Sequence, residues 1–468
     1  ARAGAPREAV GHYEGAIEIG LPDEALASVV ERLAETASAF DVTRSTKAAE
    51  EALALYQERG DRRGASRMLR LASRNWWTQG DSAAAERLGR EAVEILSDEE
   101  SPELARALAN LAGVMALTDA HQAAVPLADR AIALGERLDD PWSLSNALIT
   151  KGTALMWLSG PEEGLELALR GKDIAVANGL SEVATRGYNN AVNMMIGTGR
   201  PAAEQMRMTE EGLAYARRRG LEGAAVAWLL NLRAWGALGS GDWETGLATA
   251  ALIDPESAMA RSGLHLAALV SLARAGPETA MPLFVAVTER PTNPGQAIHV
   301  NLNLALTLAL ANDEAAARAR VAATLEGIVA DPRGRNALAS YAQSAFLSVA
   351  VLLDEPSWVD VAAAERLRRL GKTLADLQEA SFAAARSALA GDTGAAARSL
   401  AAMLEAAEIL GLSGNNLLLV ISCVVAARRR GLALGAEWGP VLEWTRTFAE
   451  RVGARWWLAQ LDPPPRES

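Results

Sequence analysis

Apolar residues recur three and four positions apart along almost every long segment of this chain, and β-branched alternation is rare. That spacing is the mark of amphipathic helices, so the expected fold class is all-α. Between the helical segments a small-residue stop recurs: Gln79-Gly80-Asp81, Ser159-Gly160-Pro161, Gly197-Thr198-Gly199, Gly241-Asp242, Gly276-Pro277, Asn312-Asp313 and Gly391-Asp392. Gly closes a helix in the left-handed conformation, Asp caps the next one, and Pro can open it at its first turn.

The stops are periodic. Gly160 and Gly199 are 39 residues apart, Gly199 and Gly241 are 42 apart, and Gly80 and Gly160 are 80 apart, or two periods. Such regularity predicts a helical-hairpin repeat. The second helix of a unit is rich in Ala and Leu, as in 84–96, 123–138 and 162–177; the first two are followed by the acidic turns Asp98-Glu99-Glu100 and Asp139-Asp140. A single hairpin cannot bury its apolar face, so neighbours must stack. Residues 1–461 read as one array of about twelve hairpins, with 462–468 as a linker stub. The array is regular over 1–276 and again over 361–461. Between them, at 277–360, Pro282, Pro291, Pro294, Pro332 and Pro356 are expected to break or offset helices.

Asn110-Leu111-Ala112, followed by Asp119, Ala124 and Ala131, resembles the tetratricopeptide pattern. That resemblance implies a right-handed superhelical solenoid whose first helices line a concave groove. Residues 5–10, 58–63, 69–74, 101–105 and 211–215 resemble the helical sensor region of LuxR-type, MalT-like ATPase transcriptional regulators, over about residues 1–276. The likeness implies a non-catalytic bacterial region that senses a ligand or binds a partner. ATP would belong to an ATPase domain outside this chain, and DNA binding to a helix-turn-helix module also outside it. The chain departs from the full regulators in both respects. Gly371-Lys372-Thr373 has the last three positions of a phosphate loop, but Arg366 stands where its first Gly should be, so the fragment reads as a helix stop. Past Trp457 the sequence is too short for a DNA-binding module. The expectation is an isolated sensor part. The alternatives are a protein-interaction scaffold and the regulatory helical tail of an ATPase-linked nucleotide cyclase.

A net charge of −12 argues against nucleic-acid binding through overall charge, and 50% hydrophobic residues exclude a disordered chain. One cysteine, Cys423, rules out an internal disulfide framework and fits a cytoplasmic setting; with it, the scattered His12, His121, His265 and His299 suggest no metal site. The apolar run 417–427 is about half of what a membrane span needs and reads as a buried helix. No secretory signal is expected. Neither a nucleophile elbow nor a zinc helix occurs, and the grouped carboxylates read as solvated charge, so no catalytic residues are assigned.

Binding chemistry concentrates on three first helices. Arg67, Arg70, Arg74 and Trp77 fall at spacings of three, four and three, on one helical face, which suits an anionic or aromatic ligand. The plainer alternative pairs these arginines with acidic neighbours such as Glu50 and Glu51. Arg186, Asn189 and Asn193 repeat the spacing, as do Trp228, Asn231 and Trp235. Repeated Asn on a helical face calls for a reason, whether a ligand or a neighbouring backbone group. Together the ten residues are expected to line a groove for a small-molecule effector, protein or peptide. The runs Arg217-Arg218-Arg219 and Arg428-Arg429-Arg430 each precede a Gly and read as caps on the ends of their own helices.

Overall fold

The computed structural model describes residues 5–38, 40–118, 120–158, 160–255, 259–289, 294–330, 342–364 and 370–462. Asp119, Ser159, Pro291, Pro332, Arg366 and residues 463–468 lie outside the described residues. Among the described residues there are twenty-four α-helices and no strand. They are α1 (Ala5–Ile19), α2 (Asp23–Ala37), α3 (Val42–Glu58), α4 (Arg62–Thr78), α5 (Ser82–Glu94), α6 (Pro102–Leu117), α7 (His121–Arg137), α8 (Pro141–Leu158), α9 (Pro161–Ala177), α10 (Ser181–Gly197), α11 (Ala202–Arg218) and α12 (Ala224–Ser240). There follow α13 (Trp243–Ala250), α14 (Ala260–Ala275), α15 (Pro277–Thr288), α16 (Pro294–Leu310), α17 (Glu314–Ala330), α18 (Gln343–Leu353), α19 (Pro356–Ala364), α20 (Lys372–Leu389), α21 (Thr393–Leu410), α22 (Ser413–Arg429), α23 (Trp438–Arg451) and α24 (Arg455–Leu461). No described helix is long and apolar enough to cross a membrane.

The stops act as their residue types dictate. Gly80 and Gly160 turn at φ +93° and +128°, and at the Asn312-Asp313 stop Asn312 itself takes φ +65°. Asp side chains then cap the following helices: Asp61 accepts from the Gly64 amide at 2.9 Å, Asp81 from Ala84 at 2.8 Å and Asp392 from Ala395 at 2.8 Å. Of the described prolines in 277–360, Pro282 departs from the expected break. Pro294 and Pro356 stand at the first residue of α16 and α19, where a missing N–H is harmless, and Pro282 sits inside α15 without ending it. Gly371 also differs from its reading as a stop, because it precedes the first residue of α20. A Cβ there would lie 1.9 Å from the Thr198 carbonyl oxygen, so glycine permits the close backbone crossing.

The chain divides into two compact units, one of residues 1–194 with 211–226, the other of 195–210 with 227–468. In the first unit successive helices pack as hairpins, and the even-numbered helices also pack side by side, α4 on α6 and α6 on α8. Polar groups tie one repeat to the next at a nearly constant interval. Asn110 Nδ2 donates to Ser73 Oγ at 3.1 Å, 37 residues away, Arg106 bonds Asp140 34 residues on, and Asn190 Nδ2 donates to Thr153 Oγ1 37 residues back. Helices α8 and α9 approach closely. A Cβ on Gly152 would come within 2.4 Å of the Gly164 carbonyl oxygen, and one on Gly164 within 2.5 Å of that of Gly152.

The second unit adds contacts between segments far apart in sequence. Its centre is α22, in which every residue from Leu417 to Ala427 is buried; a helix apolar on all sides belongs in a core. Here α24 packs on α14, Arg274 donates to the Val452 carbonyl oxygen at 3.0 and 3.2 Å, and Arg451 donates to that of Ser240 at 3.2 Å. The Arg428–Arg430 run caps other helices rather than its own. Arg428 donates to the carbonyls of Gln460 and Leu461 at the end of α24. Arg429 reaches Ala309 in α16, and Arg430 reaches Ala388 and Leu389 in α20 and the Asp354 carboxylate. Three helix C-termini, each with unpaired carbonyls and a partial negative charge, are thereby held by one segment.

Candidate ligand-binding site

Helix α4 buries Ala65, Met68, Leu69 and Ala72, and this apolar stripe fixes where its arginines go. Arg67, Arg70, Arg74 and Trp77 lie beside the stripe on the even-helix face, each in a different environment.

Arg67 is committed. Its Nε and Nη2 donate to both oxygens of Glu31 in α2, at 2.6 and 2.9 Å; the Tyr56 hydroxyl donates to Glu31 as well, and Glu103 stands 3.9 Å away. Burial pushes the Glu31 carboxyl up, but the bonds from Arg67 and Tyr56 outweigh it and hold the pKa below the ordinary value. The same enclosure, with the bond to Glu31 second, pushes Tyr56 up to about 12. Glu50 and Glu51 are exposed and take no part.

Arg70 has no ion-pair or hydrogen-bond partner among the described residues. Its guanidinium lies 5.2 Å from the centroid of the Trp142 ring, which also receives Arg106 at 6.0 Å. Arg106 is neutralised by Asp140, at 2.7 and 3.1 Å. Burial first, then the charge of Arg74, lowers Arg70 to about 10; Arg106 adds to the repulsion, and Glu35 and Glu31 oppose it.

Arg186 enters from α10. Its Nη2 donates to the Asn146 carbonyl oxygen at 2.8 Å and to Thr150 Oγ1 at 3.0 Å, both on α8. Its Nη1 lies 4.0 Å from where a Cβ on Gly113 of α6 would stand, and its Nε is buried with no partner. Burial lowers Arg186 to about 10, and the charge of Arg74 adds to the effect; no carboxylate acts on it in the opposite sense. Arg74 itself is exposed and has no partner among the described residues, while Trp77, three residues on, is half-buried. One cation thus acts on two others, and among the described residues no acid is bonded to any of the three.

The asparagines bond locally. Asn193 Nδ2 donates to the Asn189 carbonyl oxygen at 2.9 Å and Asn189 Nδ2 to Asn190 Oδ1 at 3.2 Å, leaving Asn189 Oδ1 buried without a partner. Trp228, Asn231 and Trp235 belong to the second unit. There Trp228 is exposed, Asn231 Oδ1 is buried without a partner, and Trp235 Nε1 donates to Ser262 Oγ at 2.6 Å. The Trp235 ring packs 5.3 Å from His265 and 5.6 Å from His299, whose own rings are 4.5 Å apart. Burial drives both histidines down, His299 to about 3. Cys423 is buried and its thiol is pushed up to about 12 by burial. Among the described residues no group of three His, Cys, Asp or Glu side chains is placed to hold a metal. Sequence reading missed Arg106, Trp142, Thr150 and Gly113. A signal was present, because a 36-residue offset leads from Arg70 to Arg106, from Arg106 to Trp142 and from Thr150 to Arg186.

No protein-family model matches the chain, and no curated protein matches it. Among solved structures it is similar to a Rap protein complexed with competence and sporulation factor, at 11% identity over 68% of this chain and 80% of that one, with a TM-score of 0.44. It is similar also to aspartyl phosphate phosphatase F from Bacillus subtilis, at 14% identity over 56% and 70% of the two chains and a TM-score of 0.40. A third similarity is to BtubC (BKLC) from P. vanneervenii, at 16% identity over 46% and 87%, with a TM-score of 0.34. With TM-scores this low, the likenesses carry no functional weight.

Proposed function

We propose that the chain is a non-catalytic recognition module built of helical repeats, which takes up an effector or a segment of a partner protein on the even-helix face of its first unit. The observation that carries this reading is the contrast along that face. Asn110, Asn190 and Thr150 are bonded to the adjacent repeat, and Arg67 and Arg106 to buried acids, whereas Arg70 and Arg74 have no bonded partner among the described residues. Cations that stabilise the stack are paired; cations left over on a shared face are available to something else.

In its finer form the proposal makes this the sensor region of a LuxR-type ATPase transcriptional regulator, passing occupancy to domains outside the chain. Its support is the sequence resemblance over 1–276. Such signalling requires that the ligand bind one arrangement of the repeats more tightly than another. A plain interaction scaffold shares the surface and lacks the small-effector response.

The test places a benzophenone amino acid at Trp77 and exposes the chain to panels of peptides and small effectors. Capture is expected at Trp77 and not when the same group replaces Arg90, an exposed residue of α5 paired with Glu86. Equal capture at the two positions contradicts the reading.

A further inference from the structure

Three guanidinium groups, two on α4 and one on α10, have no bonded acid among the described residues, and the charge of Arg74 acts on both Arg70 and Arg186. Arg74 is exposed and unpaired, Arg70 is stacked against Trp142, and Arg186 is half-buried with one nitrogen bonded to α8 and its Nε buried and unsatisfied. Like charges gathered in this way oppose folding, and an unsatisfied buried donor adds to that. Four other arginines of the first unit are neutralised by an acid: Arg67 by Glu31, Arg106 by Asp140, Arg170 by Glu136 and Arg137 by Glu100. Glu31 and Glu35 act on Arg70 through space, but no carboxylate acts on Arg186.

We propose that Arg74 and Arg186, together with Arg70, form a binding site for an oxyanion, the phosphate or carboxylate group of a ligand or partner segment. This deepens the proposed recognition function and rests on it for the choice of face. A planar guanidinium presents paired N–H donors that match two oxygens of either group, and the face of Trp142 holds Arg70 in position without consuming its donors. Gly113 leaves room beside Arg186 Nη1 that a larger side chain would fill.

The experiment titrates the full chain by calorimetry with inorganic phosphate and with citrate, each against sodium chloride at matched ionic strength. Wild type is compared with Arg74→Gln, Arg186→Gln and, as a control on α5, Arg90→Gln. Saturable binding of at least one probe is expected, weakened tenfold or more in Arg74→Gln and unchanged in Arg90→Gln. Phosphate alone saturating assigns a phosphoryl ligand, citrate alone a carboxylate, and both the shared chemistry. Because Arg186→Gln also removes bonds to α8, Arg74→Gln, at an exposed and unpaired position, decides the outcome. No saturation beyond the chloride control, or affinity that Arg74→Gln leaves unchanged, overturns the site. If capture at Trp77 succeeds while both anions fail, the anion assignment falls and the recognition face stands. If the anions bind through Arg74 and nothing is captured at Trp77, the proposed function falls and the anion site stands.

Discussion

Arg67 and Glu31, 36 residues apart, form a two-pronged ion pair at 2.6 and 2.9 Å that joins α4 to α2, with the Tyr56 hydroxyl on the same carboxylate. Because Glu31 is buried, truncating its partner strands a charge. Arg67→Ala is expected to destabilise the chain by about 3 kcal/mol in urea unfolding, and a loss below about 1 kcal/mol would show that solvent replaces the arginine.

Gly152 and Gly164 let the backbones of α8 and α9 touch, so Gly152→Ala is expected to cost about 2 kcal/mol or more by forcing them apart. Gly327, inside α17, has nothing within 4 Å of where a Cβ would stand, and Gly327→Ala is expected to stabilise by about 0.5–1 kcal/mol. Thermal unfolding of the two variants should move in opposite directions.

His265 and His299 are held neutral by burial, His265 well below its ordinary value of 6.5 and His299 at about 3. The unfolded chain therefore binds protons that the folded chain refuses below pH 6.5, and stability must fall as pH falls through that value. For His299 the slope gives a loss of about 2 kcal/mol by pH 5, and His265 adds to it in the same direction. Denaturant titrations of wild type and of a variant with both histidines replaced by Gln test this; equal stability changes in the two between pH 8 and 5 would contradict it.

Arg430 spans the last carbonyls of α20 and the Asp354 carboxylate. Arg430→Ala should lower stability by about 1–2 kcal/mol, with hydrogen exchange accelerated at the start of the turn after α20. Exchange unchanged there would argue that the cap is dispensable.

Much of the fold was legible because its signals are local. The Gly and Asp stops set the helix ends, the spacing of three and four set the buried stripe of α4, and the apolar run 417–427 is the buried core of α22. What escaped depends on residues brought together across repeats. Glu31 is marked as the partner of Arg67 by the 36-residue offset alone and by no local pattern, and Arg428–Arg430 bond the ends of three other helices although the local pattern points to their own. The face of α4 could be read from spacing, but the distinction between paired Arg67 and unpaired Arg74 requires the neighbours in α2 and α10.

Hydrogen exchange across the whole chain, recorded with and without the peptides or effectors that bind it, tests the recognition face most directly. The account predicts slowed exchange in α4, α6, α8 and α10 with little change in α5, α7 and α9. Slowing confined to α5, α7 and α9, or to helices of the second unit, would contradict it.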